Sequence, residues 1–243
     1  MGDDTQDFIL RLYDAATDNS IWPVVLQDFA DRINAVGCIV FEWDNSAGQP
    51  TLTAPICSAH YDPEAVSTYI ERCFTHEARD QDIFEAHSLV SDRIDLIEDD
   101  VLAENDTALD LLPNVQVLQK LGIRHRAAGL LNKDNRATAR FSIQLGADRG
   151  RFITDERLQI ATILPHIAKA LDLGRPAQQL AATQRSMLSA MDLLTIGVCI
   201  LDPQGRIVYE NEEFARQRDA YPVFSTDRNG ALELNKSADQ KRF

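Results

Sequence analysis

The sequence predicts an α+β protein in which helices flank a central antiparallel sheet. Apolar residues recur every three or four positions in several segments, which is the spacing of one helix face. Short runs of β-branched and aromatic residues are separated by clusters of Asp, Asn, Ser and Gly, as in strands joined by turns. In residues 138–145 apolar and polar residues alternate, so we expect a strand with one buried and one wet face.

The first forty-odd residues predict two helices and a strand. Residues 7–17 have the apolar spacing of a helix, and a second helix begins near Pro23, a residue that a first helical turn tolerates. Gly37 is expected to end that helix in a left-handed conformation. Residues 38–43 are apolar, β-branched and aromatic, and they predict the first strand.

An irregular edge, a helix and an acidic loop follow. Pro50 to Cys57 predict a second strand, which the prolines restrict to an edge or irregular position. Pro63 to about Glu77 predict a helix. Residues 80–105 predict irregular chain with a solvated acidic surface or, alternatively, a divalent-cation site. The acids concerned are Asp92, Asp95, Glu98, Asp99, Asp100, Glu104 and Asp106.

The sheet is expected to continue after this loop. Residues 107–121 predict a helix that Pro113 interrupts, and residues 123–131 and 138–145 predict two strands joined by a turn at 132–135. One face of the second of these strands should join the core.

Two helices are predicted next. Thr154 caps the first, Pro165 should kink it, and Gly174-Arg175-Pro176 should end it. Residues 177–193 predict a second helix with a narrow apolar stripe. A stripe of this width is typical of a dimer seam or of a helix that lies on its own domain. Its residues are Leu180, Met187, Met191 and Leu194.

The C-terminal residues predict the beginning of another sheet. Residues 196–201 and 206–209 predict a hairpin with a tight turn at 202–205, and Asn211 predicts the cap of a helix. The remaining predictions are a loop at 219–230, a strand at 231–234 and a helix cap at Ser237. A hairpin and one helix cannot bury both faces of a sheet, so we expect the natural chain to continue past Phe243.

Two parts of the chain resemble known families. The stretch IGVCILDPQGRIVYENEEFAR, residues 196–216, resembles the opening of a PAS domain. Three further segments are similar to the sensory region of certain LuxR-type bacterial transcription regulators, and they follow one another in the same order as in those proteins. They are residues 8–35, 121–131 and 152–171. The resemblance implies a GAF/PAS-like sensory domain at 1–175, a connecting and dimerisation helix at 176–194, and a partial PAS-like domain at 195–243.

The resemblance also implies a function. The chain would be the signal-input region of a LuxR-type regulator, homodimeric and with a small-molecule effector. Its four cysteines do not make a disulfide scaffold and predict reduced thiols, so we expect a cytoplasmic protein. It would lack the helix-turn-helix domain, so DNA would be contacted only by a domain C-terminal to Phe243. Acyl-homoserine-lactone sensors of the wider family carry pocket Trp, Tyr and Asp residues, and Tyr61-Asp62-Pro63 matches one piece of that set.

Sensor folds of this kind hold ligand between the sheet and its covering helices. The candidate ligand-binding residues are the aromatic and histidine side chains of the middle of the chain, which are either a pocket or a filled core. They are Phe41, Trp43, Tyr61, Tyr69, Phe74, Phe84, His87, His125 and Phe141, with Arg126 as a further polar anchor.

Composition restricts the other function classes. A formal net charge of −14 repels phosphate backbones, so the chain alone should not bind nucleic acid. No catalytic motif, cofactor motif or membrane-spanning apolar run is present, which predicts a protein that is not an enzyme, holds no cofactor and has no membrane segment. The alternative function is a ligand-free interaction module that binds a basic partner.

A metal site is the remaining alternative. Cys57-x-x-His60 and Cys73-x-x-His76 provide four zinc-type ligands in two pairs. A core thiol with surface histidines is the more usual origin of such a pattern, so we expect no metal. A disulfide switch between Cys57 and Cys73 is a further alternative that we do not favour, because neither thiol has a clearly electropositive environment in the sequence.

Overall fold

A computed structural model describes residues 3–44, 51–52, 55–132, 138–221, 223–228 and 230–234. The chain divides into two compact units, Met1–Arg175 and Pro176–Phe243. Each unit is described by itself below.

The first unit contains helices around one sheet, as predicted. The helices are α1 Asp3–Thr17, α2 Trp22–Arg32, α3 Pro63–Ser88, α4 Asp106–Asp110, α5 Pro113–Lys120 and α6 Thr154–Asp192, which continues into the second unit. The strands are β1 Gly37–Asp44, β2 Thr51–Leu52, β3 Ile56–Cys57, β4 Ile97–Glu98, β5 Ile123–Leu130 and β6 Thr138–Gly146. Short 3-10 turns cover Asn19–Ile21 and Asp99–Leu102.

The strands of the described residues form a six-stranded antiparallel sheet. Its order is β2-β1-β6-β5-β4, and β3 also pairs with β1. The central pairing of β1 with β6 runs from Gly37 opposite Gln144 to Trp43 opposite Thr138. The predicted strand at 50–57 is therefore two short strands, β2 and β3, that both pair with β1, as expected for an irregular edge. Pro50 lies outside the described residues, and so do most residues of the predicted turns at 44–48 and 132–135.

One face of the sheet carries the main hydrophobic core. Phe141, Ile143 and Leu145 of β6 are completely buried there, and they cluster with side chains of α1, α2 and α6. Phe29 of α2 packs 5.8 Å from Phe141, ring centroid to ring centroid. The alternation of residues 138–145 correctly identified this face.

The prediction that the opposite face of β6 is wet was wrong. Arg140, Ser142 and Gln144 are 3%, 8% and 4% exposed. Helix α3 extends to Ser88, eleven residues past the predicted end at Glu77, and α3 and α5 both pack on β5. The polar residues of this face are buried because helices cover them, and local alternation carries no information about such a cover.

The predicted role of Gly37 was also wrong. Helix α2 ends at Arg32, Asn34 takes the left-handed conformation with φ 51°, and Gly37 is the first residue of β1. The backbone φ angle of Gly37 is not positive. A Cβ there would lie 2.5 Å from ring atoms of both His60 and Tyr61, so glycine is needed for the close approach of these rings.

Helix α6 differs from its prediction too. It runs without interruption from Thr154 to Asp192, through Pro165 and through the Gly174-Arg175-Pro176 segment expected to end it. A proline inside a helix removes one backbone hydrogen bond without forbidding the flanking turns. Arg175 pairs with Asp172 at 3.2 Å and with Glu42 at 2.9 Å, and these contacts hold the turn in which the break was predicted.

The second unit contains two hairpins and a helix, besides the end of α6. Its elements are β7 Cys199–Leu201, β8 Ile207–Glu210, α7 Glu212–Ala220, β9 Phe224–Thr226 and β10 Leu232–Leu234. The turn between β7 and β8 is as predicted: Gly205 has φ 78° and its N–H donates to Asp202 O at 2.9 Å. Residues 219–230 are not all loop, because β9 pairs with β10; Ser237 lies outside the described residues.

Asn211 joins three parts of the second unit. Its side chain is fully buried. The amide oxygen accepts from the backbone N–H groups of Val198 (2.8 Å) and Phe214 (2.9 Å), and the amide nitrogen donates to the carbonyls of Met191 and Ile196, both at 3.0 Å. One side chain thus caps α7 and ties it to the segment just before β7 and to the end of α6.

Replacement of Asn211 by Ala should destabilise the second unit by about 3 kcal/mol, since each buried backbone group left without a partner costs about 1–3 kcal/mol. Hydrogen exchange measured by mass spectrometry should show faster exchange across residues 196–220. Gln204→Ala, an exposed change in the same unit, serves as the control. Unchanged protection at Val198 and Phe214 would contradict this role for Asn211.

Candidate functional site

A cavity of about 280 Å³ lies between the polar face of the sheet and helices α3 and α5. Most of its wall is apolar. The apolar lining residues are Val36, Ile39, Phe41, Leu52, Pro55, Ala65, Val66, Ile70, Leu118, Leu121 and Ile123. The polar or amphipathic lining residues are His60, Tyr61, Asp62, Tyr69, Glu77, Arg126, Ser142 and Gln144. The volume is just under the range of about 300–1,000 Å³ usual for small-molecule sites.

The start of α3 positions one wall of the cavity. Asp62 caps the helix by accepting from Glu64 N–H at 3.2 Å, and Pro63 occupies the first turn. Val66, Tyr69 and Ile70 then follow at helical spacing, so they share the face that lines the cavity.

A row of polar side chains crosses the floor of the cavity. Arg126 of β5 is paired in register with Gln144 of β6, which is paired with Gly37 of β1. The hydroxyl of Tyr61 donates to Gln144 Oε1 at 3.1 Å, and Gln144 Nε2 lies 2.8 Å from Ser142 Oγ. The absence of a side chain at Gly37 gives Tyr61 the space to reach this row.

Arg126 forms the centre of a buried ion-pair network. It is 5% exposed. Its guanidinium donates to Glu77 Oε2 at 2.8 Å and also to Asp80 Oδ2. Tyr69 donates to Glu77 Oε2 at 2.7 Å and Asn114 donates to Asp80 Oδ2 at 2.6 Å.

Burial and charge act in opposite directions on these groups. Burial by itself raises the pKa of Glu77, but attraction to Arg126 and hydrogen bonds from Gln81, Tyr69 and Arg126 more than offset it, so the pKa of Glu77 is lowered. Burial raises the pKa of Asp80, and Arg126 offsets this only in part. Burial lowers the pKa of Arg126, but Glu77 and the neighbouring acidic groups raise it overall, so Glu77 and Arg126 form a charged pair at neutral pH.

The predicted ligand-binding residues divide into two groups. Phe41, Tyr61 and Tyr69 line the cavity, as does the further anchor Arg126. The other predicted residues do not line it; they are Trp43, Phe74, Phe84, His87, His125 and Phe141.

The aromatic residues outside the cavity are packed elsewhere. Trp43 stacks on Phe74 with ring centroids 5.7 Å apart, and the guanidinium of Arg140 lies 5.5 Å from the Trp43 ring centroid. Phe84 belongs to a smaller cluster under Arg126. Phe141 is part of the main core on the opposite face of the sheet.

The two predicted histidines are also separate from the cavity. His125 is 8% exposed, and its Nδ1 lies 3.4 Å from Asp99 Oδ2. His87 is exposed at the end of α3. Aromatic and histidine side chains are typical of ligand pockets, but these six residues lie outside the cavity because of their positions on the strands and helices.

Sequence reasoning missed several cavity residues. Glu77 was expected only as the end of a helix, whereas Ser142 and Gln144 were placed on a wet face. No local signal was available for Ser142 and Gln144, because only the tertiary structure shows that β6 is a central strand whose polar face is covered. Ile39 and Ala65 carry no signal that separates a cavity wall from ordinary core.

The acidic segment is less solvated than predicted. Glu98 and Asp99 are 3% and 2% exposed. Arg157 lies 2.5 Å from Glu98 Oε1 and Arg151 lies 3.1 Å from Asp99 Oδ1. Arg151, just before α6, and Arg157, in its first turn, therefore neutralise two of these acids. In the ranges that the structure describes, the acidic segment contains no group of three side chains placed to bind a metal ion.

The two Cys-x-x-His pairs do not come together as a metal site either. In the described part of the chain, no three His, Cys, Asp or Glu side chains are placed to hold an ion. His60 Nδ1 instead lies 2.6 Å from Gln27 Oε1, and Cys73 is 4% exposed. No helix in the described ranges is both long and apolar enough to cross a membrane.

Solved structures with a similar fold include one ligand-binding domain. The ligand-binding domain of VqsR from Pseudomonas aeruginosa matches with a TM-score of 0.51 and 15% identity, over 71% of this chain and 97% of that chain. SdiA in complex with octanoyl-rac-glycerol matches with a TM-score of 0.51 and 18% identity, over 70% of this chain and 67% of that chain. At these identities the likeness shows the fold.

A third match is CepR2 from Burkholderia cenocepacia, an N-acylhomoserine lactone dependent LuxR-family transcription factor, with a TM-score of 0.49 and 12% identity over 70% of this chain and 95% of that chain. No protein-family model and no curated protein sequence matches the chain.

Cys57 should react slowly with alkylating reagents in the native protein. Burial raises the pKa of its thiol to about 11 from the ordinary 9.0, so its thiolate fraction at pH 7.5 is about 100-fold lower than that of a free cysteine. Iodoacetamide labelling followed by peptide mass spectrometry should show this, with the unfolded protein as the reference. Native labelling of Cys57 as fast as in the unfolded chain would contradict the described environment.

Proposed function

We propose that the first unit is the ligand-sensing input region of a LuxR-type transcription regulator. The observation that carries the proposal is the cavity over the polar row of the sheet, in a fold shared with the ligand-binding domain of VqsR and with SdiA. The apolar walls of the cavity suit an apolar ligand chain, and the polar side chains along one wall supply hydrogen-bonding groups for a polar ligand group.

The proposed ligand is a small amphiphile. SdiA has been solved with octanoyl-rac-glycerol, so this medium-chain ester is the first probe for the present chain. The cavity also favours this function over a ligand-free module that binds a basic partner, since such a module needs no internal space. The proposal includes no catalytic step and no resident cofactor, and places the protein in the cytoplasm.

The proposed output is dimerisation. Leu180 and Met187 of the predicted seam lie on α6 and are 70% and 62% exposed, and Met191 is half-buried on the same helix. The fourth predicted residue, Leu194, lies two residues past the end of α6 and is not part of the helical stripe. Exposed apolar side chains at the spacing of Leu180, Met187 and Met191 favour a partner helix from a second copy. Ligand binding would then bias the arrangement of the paired helices, and a DNA-binding domain C-terminal to Phe243 would respond.

Replacement of Ala65 by Phe should lower the affinity for octanoyl-rac-glycerol at least tenfold, because the larger side chain occupies the cavity. Isothermal titration calorimetry measures this directly. Ser67→Phe adds the same ring at an exposed position of α3 and should leave the affinity unchanged. Equal affinities of Ala65→Phe and the wild type would place the ligand outside this cavity.

Replacement of both Met187 and Met191 by Glu should shift the protein towards monomer, since it buries four carboxylates in a paired seam. Analytical ultracentrifugation gives the dissociation constant. Ala182→Glu with Ser189→Glu introduces the same charges on other faces of the helix and is the control. A double Met variant as dimeric as the wild type would show that the seam lies elsewhere.

A further inference from the structure

Helix α6 contains one turn that is intrinsically weak. The turn spans residues 172–176 and includes Gly174 and Pro176. Glycine and proline are the two least favourable residues in a helix interior, and Pro176 also lacks the N–H group that would bond to the carbonyl of Asp172. The helix nevertheless runs through this turn without a break. Contacts with other elements therefore stabilise the turn.

One guanidinium connects this turn to the sheet. Arg175 donates to Glu42 Oε1 of β1 at 2.9 Å and to Asp172 Oδ1 at 3.2 Å. Asp172 Oδ1 also lies 3.4 Å from Nδ2 of Asn132, which follows β5. The weak turn is thus held to the sheet by side-chain contacts with two of its strand regions.

The packing of α6 changes at the same place. Gly174 is the last residue of the helix that is fully buried, and residues 176–180 are all exposed. Helix formation is cooperative, because starting a new helix costs far more than extending one. The exposed part of α6 therefore depends on the turn at 172–176 for its continuity with the packed part.

Strand β1 places Glu42 directly behind the cavity wall. Phe41 lines the cavity, and successive residues of a strand point to opposite faces of the sheet. Glu42 accordingly meets Arg175 on the face where α6 packs, one peptide unit away from the cavity. A ligand in contact with Phe41 would restrict the same piece of strand that carries Glu42.

We propose that Glu42 and Arg175 form a coupling pair, which links occupancy of the cavity to the continuity of α6 at residues 172–176. This inference rests on the proposed function and names how the site would be read out. With the coupling pair formed, the weak turn is helical; with the pair broken, the helix is interrupted between Gly174 and Pro176. A ligand that packs on Phe41 limits the motion of β1 and so favours the formed pair.

The strength of the coupling pair suits this role. The side chains of Arg175 and Glu42 are 32% and 37% exposed. Ion pairs that are exposed to this degree are weak, so the formed and broken states are close enough in free energy for a ligand to shift the balance.

Hydrogen exchange of the full chain tests the coupling pair without a ligand. Mass spectrometry of peptides that cover residues 170–180 should show exchange about two- to fivefold faster in Glu42→Gln, the range expected for loss of one exposed ion pair. The double variant Glu42→Gln with Arg175→Gln should exchange no faster than Arg175→Gln alone, because both changes break the same pair. Glu71→Gln, an exposed change of the same type on α3, is the matched control and should leave this stretch unchanged.

Saturating octanoyl-rac-glycerol tests the link to the cavity. It should slow exchange at residues 170–180 at least twofold in the wild type and leave exchange there unchanged in Glu42→Gln. Titration calorimetry should give the two proteins the same affinity within about twofold, because Glu42 does not line the cavity. A purely structural role of Glu42 would leave the response to the ligand intact.

The outcomes separate the two proposals. Unchanged exchange at residues 170–180 in Glu42→Gln overturns the coupling pair and leaves the proposed function standing. The same holds if bound octanoyl-rac-glycerol does not slow exchange there in the wild type, or slows it equally in Glu42→Gln. If octanoyl-rac-glycerol does not bind the wild type at all, the proposed function fails and the coupling fails with it.

Discussion

The buried charge of Arg126 constrains much of the first unit. A guanidinium on a covered sheet face is tolerated only if carboxylates are brought close to it. Helix α3 meets this requirement, since Glu77 and Asp80 both reach Arg126 from it and Asn114 of α5 holds Asp80 in place. The long helix α3, its path across the sheet and the position of α5 are thus consistent with one electrostatic need.

The same network lies at the cavity. Its members are held by one another through hydrogen bonds and ion pairs, and Tyr69, Glu77 and Arg126 line the cavity wall. Tyr61 is held by Gln144, and Gly37 leaves room for its ring. The result is a mostly apolar volume with a row of polar side chains along one wall.

Arg140 completes the charged face in a different way. It donates to the backbone carbonyl and side chain of Gln81 and to Glu85 at 2.7 Å, and it covers the ring of Trp43. These contacts fill the sheet face beyond the cavity with a closed cluster. The polar face of the sheet therefore has two parts. Arg126 borders the cavity, whereas Arg140 is enclosed by Gln81, Glu85 and the ring of Trp43.

The sequence by itself determined the features that depend on near neighbours. The Asp62-Pro63 start of α3, the paired strands β5 and β6, the Asp202–Gly205 turn and the Asn211 cap all follow from interactions within a few residues, and the structure contains each of them. The α+β class follows from the same signals. Only the tertiary structure decided which faces are covered. Whether Gln144 meets water or helix α3, whether Phe41 or Phe141 lines a cavity, and why Gly37 must be glycine depend on elements distant in the chain, and local periodicity cannot encode contacts across that distance.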